Sequence, residues 1–374
     1  MLTVPFNIPY TTKESVENVQ RLVLEPVLLN QRYFSNACIK WLETVYTGYK
    51  AFLTPSATQA LELLACSLEI KPGDEIIMPS FNYVGVAAAF VNHGATIVFT
   101  DIDSQTMCLE VDEVEKAITD KTKAIVVTNY NGVSYKLKTL EAICKSRNIL
   151  LIEDNAQGIN CMSKDQMAGT HGDFSCISFD PLKNISANEG GVLLCKEKWV
   201  DKISVHYENG TNKQAFIAGK INAYQWIDKG SRYFMSEYNA AILYPLLLQS
   251  KAILNERKQK WLALINAIST HPSISCLVDH FKNYPDHNAH IAYVKLKTFE
   301  DRNALIKSLA AAGIQSSFHY VPLHNSPAGK LYGRCAGQLI HTEKEADRLL
   351  RLPMHNYLTD DQIDYIVDEL GKAL

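Results

Sequence analysis

Lys183 closes the run Ile177-Ser-Phe-Asp-Pro-Leu-Lys183, in which aromatic, β-branched and small residues lead into a proline. Phe174 to Phe179 reads as a short buried strand, and Pro181 prevents that strand from continuing as a central one. The lysine therefore sits on a turn at a strand end, where open α/β sheets hold their ligands. A lysine shielded there can reach its neutral form and add to an aldehyde. Three other segments carry residues that suit the same ligand. Asp154 ends the apolar run from Ile149 and can pair with a protonated pyridine nitrogen, which keeps the ring electron-withdrawing. Tyr83 can lie flat on such a ring, and Thr58, at the start of a helix, can join Ser178 in receiving a phosphate. Together these are the parts of a pyridoxal 5'-phosphate (PLP) site.

Each part also has an ordinary reading. Most lysines are solvated, and Ser56 or Thr58 at a helix start is usually a cap. Asp154 can cap the next element, Tyr83 can be a core aromatic, and Gln157 a surface amide. The joint pattern favours the site, because four segments put suitable residues at one edge of one sheet.

That edge has to be built by the elements around it. Apolar strands are predicted at Ala51–Thr54, Glu75–Pro79, Ala95–Asp101, Ala124–Thr128, Ile149–Asp154, Phe174–Phe179 and Val192–Cys195, with helical patterns between most of them. Such alternation indicates α/β architecture with a mostly parallel sheet covered on both faces. Helices are predicted near Thr12–Glu25 and Ser35–Tyr46 ahead of the sheet, and Tyr207–Tyr233 reads as an irregular loop. Ser236–Glu256 reads as a long helix that Pro245 kinks or divides. Beyond it come charged helices with separate short strands, for example Ala289–Leu296 and Gln315–Tyr320. At 374 residues the chain exceeds what one core accommodates. The expected division is a large domain over residues 1–245 and a smaller C-terminal α+β domain over 246–374.

Composition limits the alternatives. A net charge of -3 gives no electrostatic footprint for nucleic acid or an anionic membrane. There is no run of 18 apolar residues and no leader-like start, so a cytoplasmic protein is expected. The nine cysteines are scattered with no CxxC pair, which argues against a disulfide framework and against a metal site.

The ordered motifs Thr54-Pro-Ser-Ala-Thr-Gln-Ala-Leu61, Lys71-Pro-Gly-Asp-Glu75, Met78-Pro-Ser-Phe-Asn-Tyr83, Glu153-Asp-Asn-Ala-Gln157, Ser178-Phe-Asp-Pro-Leu-Lys-Asn184, Glu189-Gly-Gly191 and His319-Tyr-Val-Pro-Leu-His324 span nearly the whole chain. In them the sequence resembles the sugar aminotransferases of the DegT/DnrJ/EryC1/StrS family. The resemblance implies a PLP-dependent transferase of fold type I, like aspartate aminotransferase. Asn209-Gly-Thr-Asn212, Tyr224-Gln-Trp-Ile-Asp228, Pro327-Ala-Gly329 and Glu345–Pro353 resemble the branch that aminates dTDP-4-keto-6-deoxy-D-glucose to dTDP-4-amino-4,6-dideoxy-D-galactose. That product serves surface polysaccharides such as lipopolysaccharide O-antigen or enterobacterial common antigen.

By position, the resemblance implies Lys183 as Schiff-base residue and proton carrier, and Asp154 as partner of the pyridine nitrogen. It implies Gln157 on the ring hydroxyl, Tyr83 on the ring, and Thr58, Gln59 and Ser178 on the phosphate, with Arg232 as a further phosphate contact. Asn184, His319, Tyr320 and His324 would face the sugar. L-glutamate would be the amino donor, leaving as 2-oxoglutarate and converting PLP to pyridoxamine phosphate (PMP). The family acts as a homodimer whose sites are completed by a partner loop, here about residues 210–235. Two departures stand out. Arg232 and Phe234 occupy positions where many relatives have asparagine and arginine, and Leu29–Ser35 replaces a glycine-rich segment. Amination at C3, UDP- or GDP-linked substrates, a PLP-dependent dehydratase and a non-catalytic PLP-binding regulator are the rival readings; the lysine disfavours the dehydratase, which carries histidine there.

Overall fold

The computed structural model describes residues 2–163 and 166–374, with the side chain of residue 163 not described. Seven strands fall close to the predicted runs: β1 (Tyr49–Thr54), β2 (Glu75–Pro79), β3 (Thr96–Thr100), β4 (Thr122–Thr128), β5 (Leu150–Asp154), β6 (Phe174–Ser178) and β7 (Gly191–Lys196). Three more follow: β8 (Ala292–Lys295), β9 (Gly333–Cys335) and β10 (Leu349–Leu352). The main sheet has eight strands in the order β1-β7-β6-β5-β4-β2-β3-β9. From β6 to β9 all neighbours are parallel, and β7 and β1 close one edge antiparallel.

Side chains alternate across this sheet with the two-residue period of a strand. Ile76, Met78, Ile97, Phe99, Ala124 and Val126 enter one buried cluster, while Ile77, Val98, Ile125 and Val127 enter another on the opposite face. Burial on both sides explains why the strands read as unbroken apolar runs. Each fully buried aliphatic side chain contributes about 1.5–3 kcal/mol. Helices α1 (Lys13–Leu24) and α2 (Tyr33–Val45) pack with the helix over Glu237–Leu248, while α3 (Ala57–Ser67) and α4 (Val84–Val91) lie on the sheet.

The predicted helix around Pro245 is divided. Helix α5 (Glu237–Leu248) carries the proline inside it, and α6 (Ser250–Thr270) starts beyond Gln249. The proline has no N–H for the Ala241 carbonyl; Asn18 donates to that oxygen instead, at 3.2 Å. The helix thus continues one turn past its proline.

The C-terminal third pairs β8 and β10 into a two-stranded antiparallel ribbon. Helices α6, α7 (Phe299–Ala311), α8 (Ile340–Arg348) and α9 (Asp360–Ala373) surround it, and Trp261, Leu305, Ile366 and Leu370 share its core. That core also takes in Val4, Phe81 and Tyr130, and β9 crosses back to pair with β3, so the C-terminal third is stitched to the main sheet. Gln315–Tyr320 does not form the strand that was predicted. Ile314 bridges Val4, Ser317 bridges Arg351, and the chain then turns away to carry His319 and Tyr320 to the sheet. All nine cysteines are free, seven of them buried. Among the described residues, no helix is long and apolar enough to cross a membrane and no cluster suits a metal ion.

Candidate active site

A cavity of about 720 Å³ opens where β5 and β6 end and α3 and α4 begin. Helix α3 points its N-terminus into it. Ser56, in extended backbone, caps the helix by accepting from Gln59 N at 3.1 Å. Helix geometry leaves the N–H groups of Ala57 and Thr58 without intrahelical partners at the positive end of the dipole. A phosphate fits such a terminus, and the Ser56 side chain, as the cap, is occupied with the helix itself.

The glycine pair has a steric reason. A Cβ on Gly191 would collide with the backbone of Ser56 and Ala57, so β7 approaches the start of α3 only because it begins with glycine. Gly85 does the same for the ring. A Cβ there would lie 2.6 Å from Tyr83 Cε1 and 2.7 Å from Thr58 Oγ1. Tyr83 folds back over the start of α4 towards Thr58, and at 55% exposure it keeps a ring face free.

Across the cavity lie Asp154 and Lys183. Asp154 is 4% exposed and accepts weakly, from Ala156 N at 3.2 Å and Thr128 Oγ1 at 3.4 Å. Burial raises its pKa, and those two donors with the Lys183 charge only partly offset the rise. Lys183 is set by a turn in which Asp180 accepts from Leu182 N and Lys183 N, both at 2.9 Å. Burial lowers its pKa, Asp154 and Asp180 pull it back up, and Arg351 pushes it further down. Desolvation thus moves both groups towards neutrality. A cationic ring nitrogen beside Asp154 would supply the countercharge that its surroundings lack.

The far wall comes from the C-terminal third. Gln157 accepts from Asn131 N at 2.8 Å and donates from Nε2 to the Tyr320 hydroxyl at 3.0 Å, which fixes its amide plane and leaves one N–H to spare. His319 stacks on Tyr320 at 3.8 Å between centroids and lies 2.7 Å from the Tyr130 hydroxyl. Burial holds His319 and His290 well below the usual histidine pKa, so both are neutral.

Of the residues singled out in the sequence, Thr58, Gln59, Tyr83, Asp154, Gln157, Ser178, Lys183, His319 and Tyr320 line this one cavity. Asn184, His324 and Arg232 do not. Asn184 is buried behind the wall, donating to Asn288 O at 2.9 Å and holding His290 Nδ1 at 2.9 Å, so it orients a residue that does line the cavity. His324 is engaged with Ser80 Oγ at 2.7 Å and Glu343 at 3.3 Å. Arg232 is exposed, beside Phe234. Phe234 itself packs on Tyr207 at 4.7 Å and under the Arg32 guanidinium at 4.3 Å. His290 and Arg351 line the cavity without having been singled out; Arg351 lay within a quoted motif, whereas His290 carried no periodic or motif signal.

The sequence profile of the DegT/DnrJ/EryC1/StrS aminotransferase family matches residues 41–371. The chain belongs to this family. Within it, the chain is 28% identical to a dTDP-4-dehydro-2,3,6-trideoxy-D-glucose 4-aminotransferase of Saccharopolyspora spinosa, over 85% of this chain and 83% of that one. It is also 28% identical to the GDP-perosamine synthase of Escherichia coli O157:H7, over 89% and 88% of the two chains. In fold it is similar to the Spr1654 protein of Streptococcus pneumoniae in its PLP form, with a TM-score of 0.87 and 24% identity over 100% and 98% of the chains. The α/β architecture is that of PLP-dependent aminotransferases, and PLP is the cofactor. The cavity fits it: a helix N-terminus cleared by Gly191, a free tyrosine face, a buried carboxylate short of a cation, and a lysine driven towards its neutral form.

Proposed function

We propose that this chain moves the amino group of L-glutamate to a nucleotide-linked keto sugar. Its substrate on this reading is dTDP-4-keto-6-deoxy-D-glucose and its product dTDP-4-amino-4,6-dideoxy-D-galactose, for a surface polysaccharide such as O-antigen or enterobacterial common antigen. The observation that carries the aminotransferase reading is Lys183 and Asp154 lining one cavity with the N-terminus of α3. The choice of a dTDP-linked 4-keto sugar draws on the motif resemblance and on the name of the Saccharopolyspora relative.

In this reading Thr58, Gln59, Ser178 and the start of α3 hold the cofactor phosphate, Tyr83 covers the ring, Asp154 pairs with the pyridine nitrogen and Gln157 holds the ring hydroxyl. When bound, PLP supplies an electron-withdrawing ring that stabilises negative charge on a carbon that has lost its proton. Lys183 would hold the cofactor aldehyde, and as a neutral amine its Nζ would be the group that takes the proton from one carbon and returns it to another. The lowering of the Lys183 pKa by burial suits that work, since an ammonium has no lone pair to offer. His319 and Tyr320 face the sugar.

The division into a large cofactor domain, residues 1–245, and a small domain, 246–374, puts the cavity at their junction. The enzyme acts as a homodimer. Tyr224, Trp226 and Ile227, 52%, 80% and 52% exposed, sit on the 210–235 segment, and such an apolar arm suits burial against a second copy, with Arg232 reaching the partner's phosphate. The test is the cofactor's absorbance on adding glutamate. Conversion to the PMP spectrum is expected for the natural chain and absent for Lys183→Ala, and an unchanged spectrum in both would count against the proposal.

A further inference from the structure

Two arginines stand near the cavity, Arg257 buried and Arg351 half-buried, and they differ in what satisfies them. Arg257 donates to three backbone carbonyls, Ala289 O at 2.8 Å, His290 O at 2.8 Å and Met354 O at 2.9 Å, so its charge is absorbed by the fold. Arg351 lines the cavity, and its Nε is buried without a hydrogen-bond partner among the described residues. It forms no ion pair among them either. Its backbone is pinned by Ser317, with Arg351 N donating to Ser317 O at 2.7 Å, and its guanidinium lies 4.8 Å from the Phe6 ring. Lys183, Arg257, His290, His319, Tyr130 and Tyr320 feel its charge, and the carboxylates that line the same cavity, Asp154, Asp180 and Glu189, form no ion pair with it. Leaving a buried guanidinium N–H without a partner is costly. Such a group is held in place for a charge that arrives with a ligand.

We propose that Arg351 receives the α-carboxylate of the amino donor, and of the keto acid that leaves. The chemistry chooses between the anions that enter this cavity. In an amino acid the carboxylate is one bond from the carbon that exchanges its amine, whereas in a nucleotide-linked 4-keto sugar the diphosphate is on the opposite side of the ring. Arg351 lines the same cavity as Lys183, which places it to meet an anion beside the reacting carbon. Its planar donor pair matches a carboxylate with two parallel hydrogen bonds. Arg351 and the neutral His319 and Tyr320 then divide the wall, one for the amino acid and the others for the uncharged sugar ring.

This assignment rests on glutamate as donor, and the test keeps the two apart. Calorimetric titration of the PLP-saturated protein with glutarate, an unreactive dicarboxylate, and separately with dTDP, is run on the natural chain, Arg351→Gln and Arg351→Lys. Arg351→Gln is expected to weaken glutarate binding by about tenfold or more, to leave dTDP binding and the cofactor absorbance unchanged, and Arg351→Lys to recover part of the loss. Equal glutarate affinity in Arg351→Gln and the natural chain overturns the assignment, as does loss of dTDP binding with glutarate retained, which would make Arg351 a diphosphate group. A natural chain that binds no dicarboxylate overturns the glutamate reading itself. Should Arg351→Gln fail to fold, glutarate affinity in Arg351→Lys equal to that of the natural chain overturns the two-pronged contact.

Discussion

Gln157 donates from Nε2 to the hydroxyl of Tyr320 at 3.0 Å, joining residues 163 positions apart across the mouth of the cavity. Through that bond the end of β5 is tied to the segment that forms the far wall. Tyr320→Phe removes the acceptor and strands a buried amide N–H. We expect unfolding free energy to fall by about 1–3 kcal/mol, read by urea denaturation of the apoprotein. No change would mean that the bond contributes nothing to closure.

Gly191 is predicted to be irreplaceable for a reason separate from chemistry. Gly191→Ala forces β7 away from the backbone of Ser56 and Ala57, opening the N-terminus of α3, the proposed site of the cofactor phosphate. PLP affinity should drop about tenfold or more, ~1.4 kcal/mol, in a fluorescence titration of the apoprotein. Alanine at the exposed Gly337, where a Cβ would meet only Glu113 Oε2 at 3.6 Å and the backbone is not left-handed, is the control for glycine replacement on the surface.

The buried Lys183 makes apoprotein stability depend on pH in a defined direction. Its folded-state pKa is lowered from 10.5, so between that lowered value and 10.5 the unfolded chain binds more protons at this site. The destabilisation due to Lys183 is therefore greatest at and below the lowered pKa, and fades as pH rises to 10.5. Lys183→Met removes it, so the variant should exceed the natural apoprotein in stability near neutrality, the gap closing towards pH 10.5. A gap that widens with pH would reverse the sign and contradict the desolvated lysine.

Arg232 lies outside the cavity of its own chain, so its proposed phosphate contact has to be made in a dimer. Arg232→Glu alone should lose activity, as should Lys183→Ala alone. Mixing the two after dissociation regenerates one site with both natural groups if the contact crosses the dimer. Activity that stays absent in the mixture, with hybrid dimers present, would rule out the crossing contact.

Much of this was legible in the sequence because its causes are local. Strands β2 to β7 are runs of residues buried on both faces, and Pro181, Gly190 and Gly191 mark where the chain must turn or approach closely. What was illegible depends on partners far along the chain. Asn184 looked like a sugar-facing neighbour of Lys183, yet its amide is committed to Asn288 and His290, about a hundred positions on. His324 was drawn away by Ser80 and Glu343. Gln315–Tyr320 has strand-like composition, but its possible neighbours lie at different ends, Val4 beside Ile314 and Arg351 beside Ser317, so only single bridges form. The unpaired Arg351 shows only once the groups around it are known.

The most direct test follows nitrogen itself. The purified protein with PLP, ¹⁵N-glutamate and dTDP-4-keto-6-deoxy-D-glucose should yield a sugar carrying ¹⁵N at C4 with galacto configuration, identified by NMR. A sugar that returns without ¹⁵N, whether unchanged or having lost water, would contradict it.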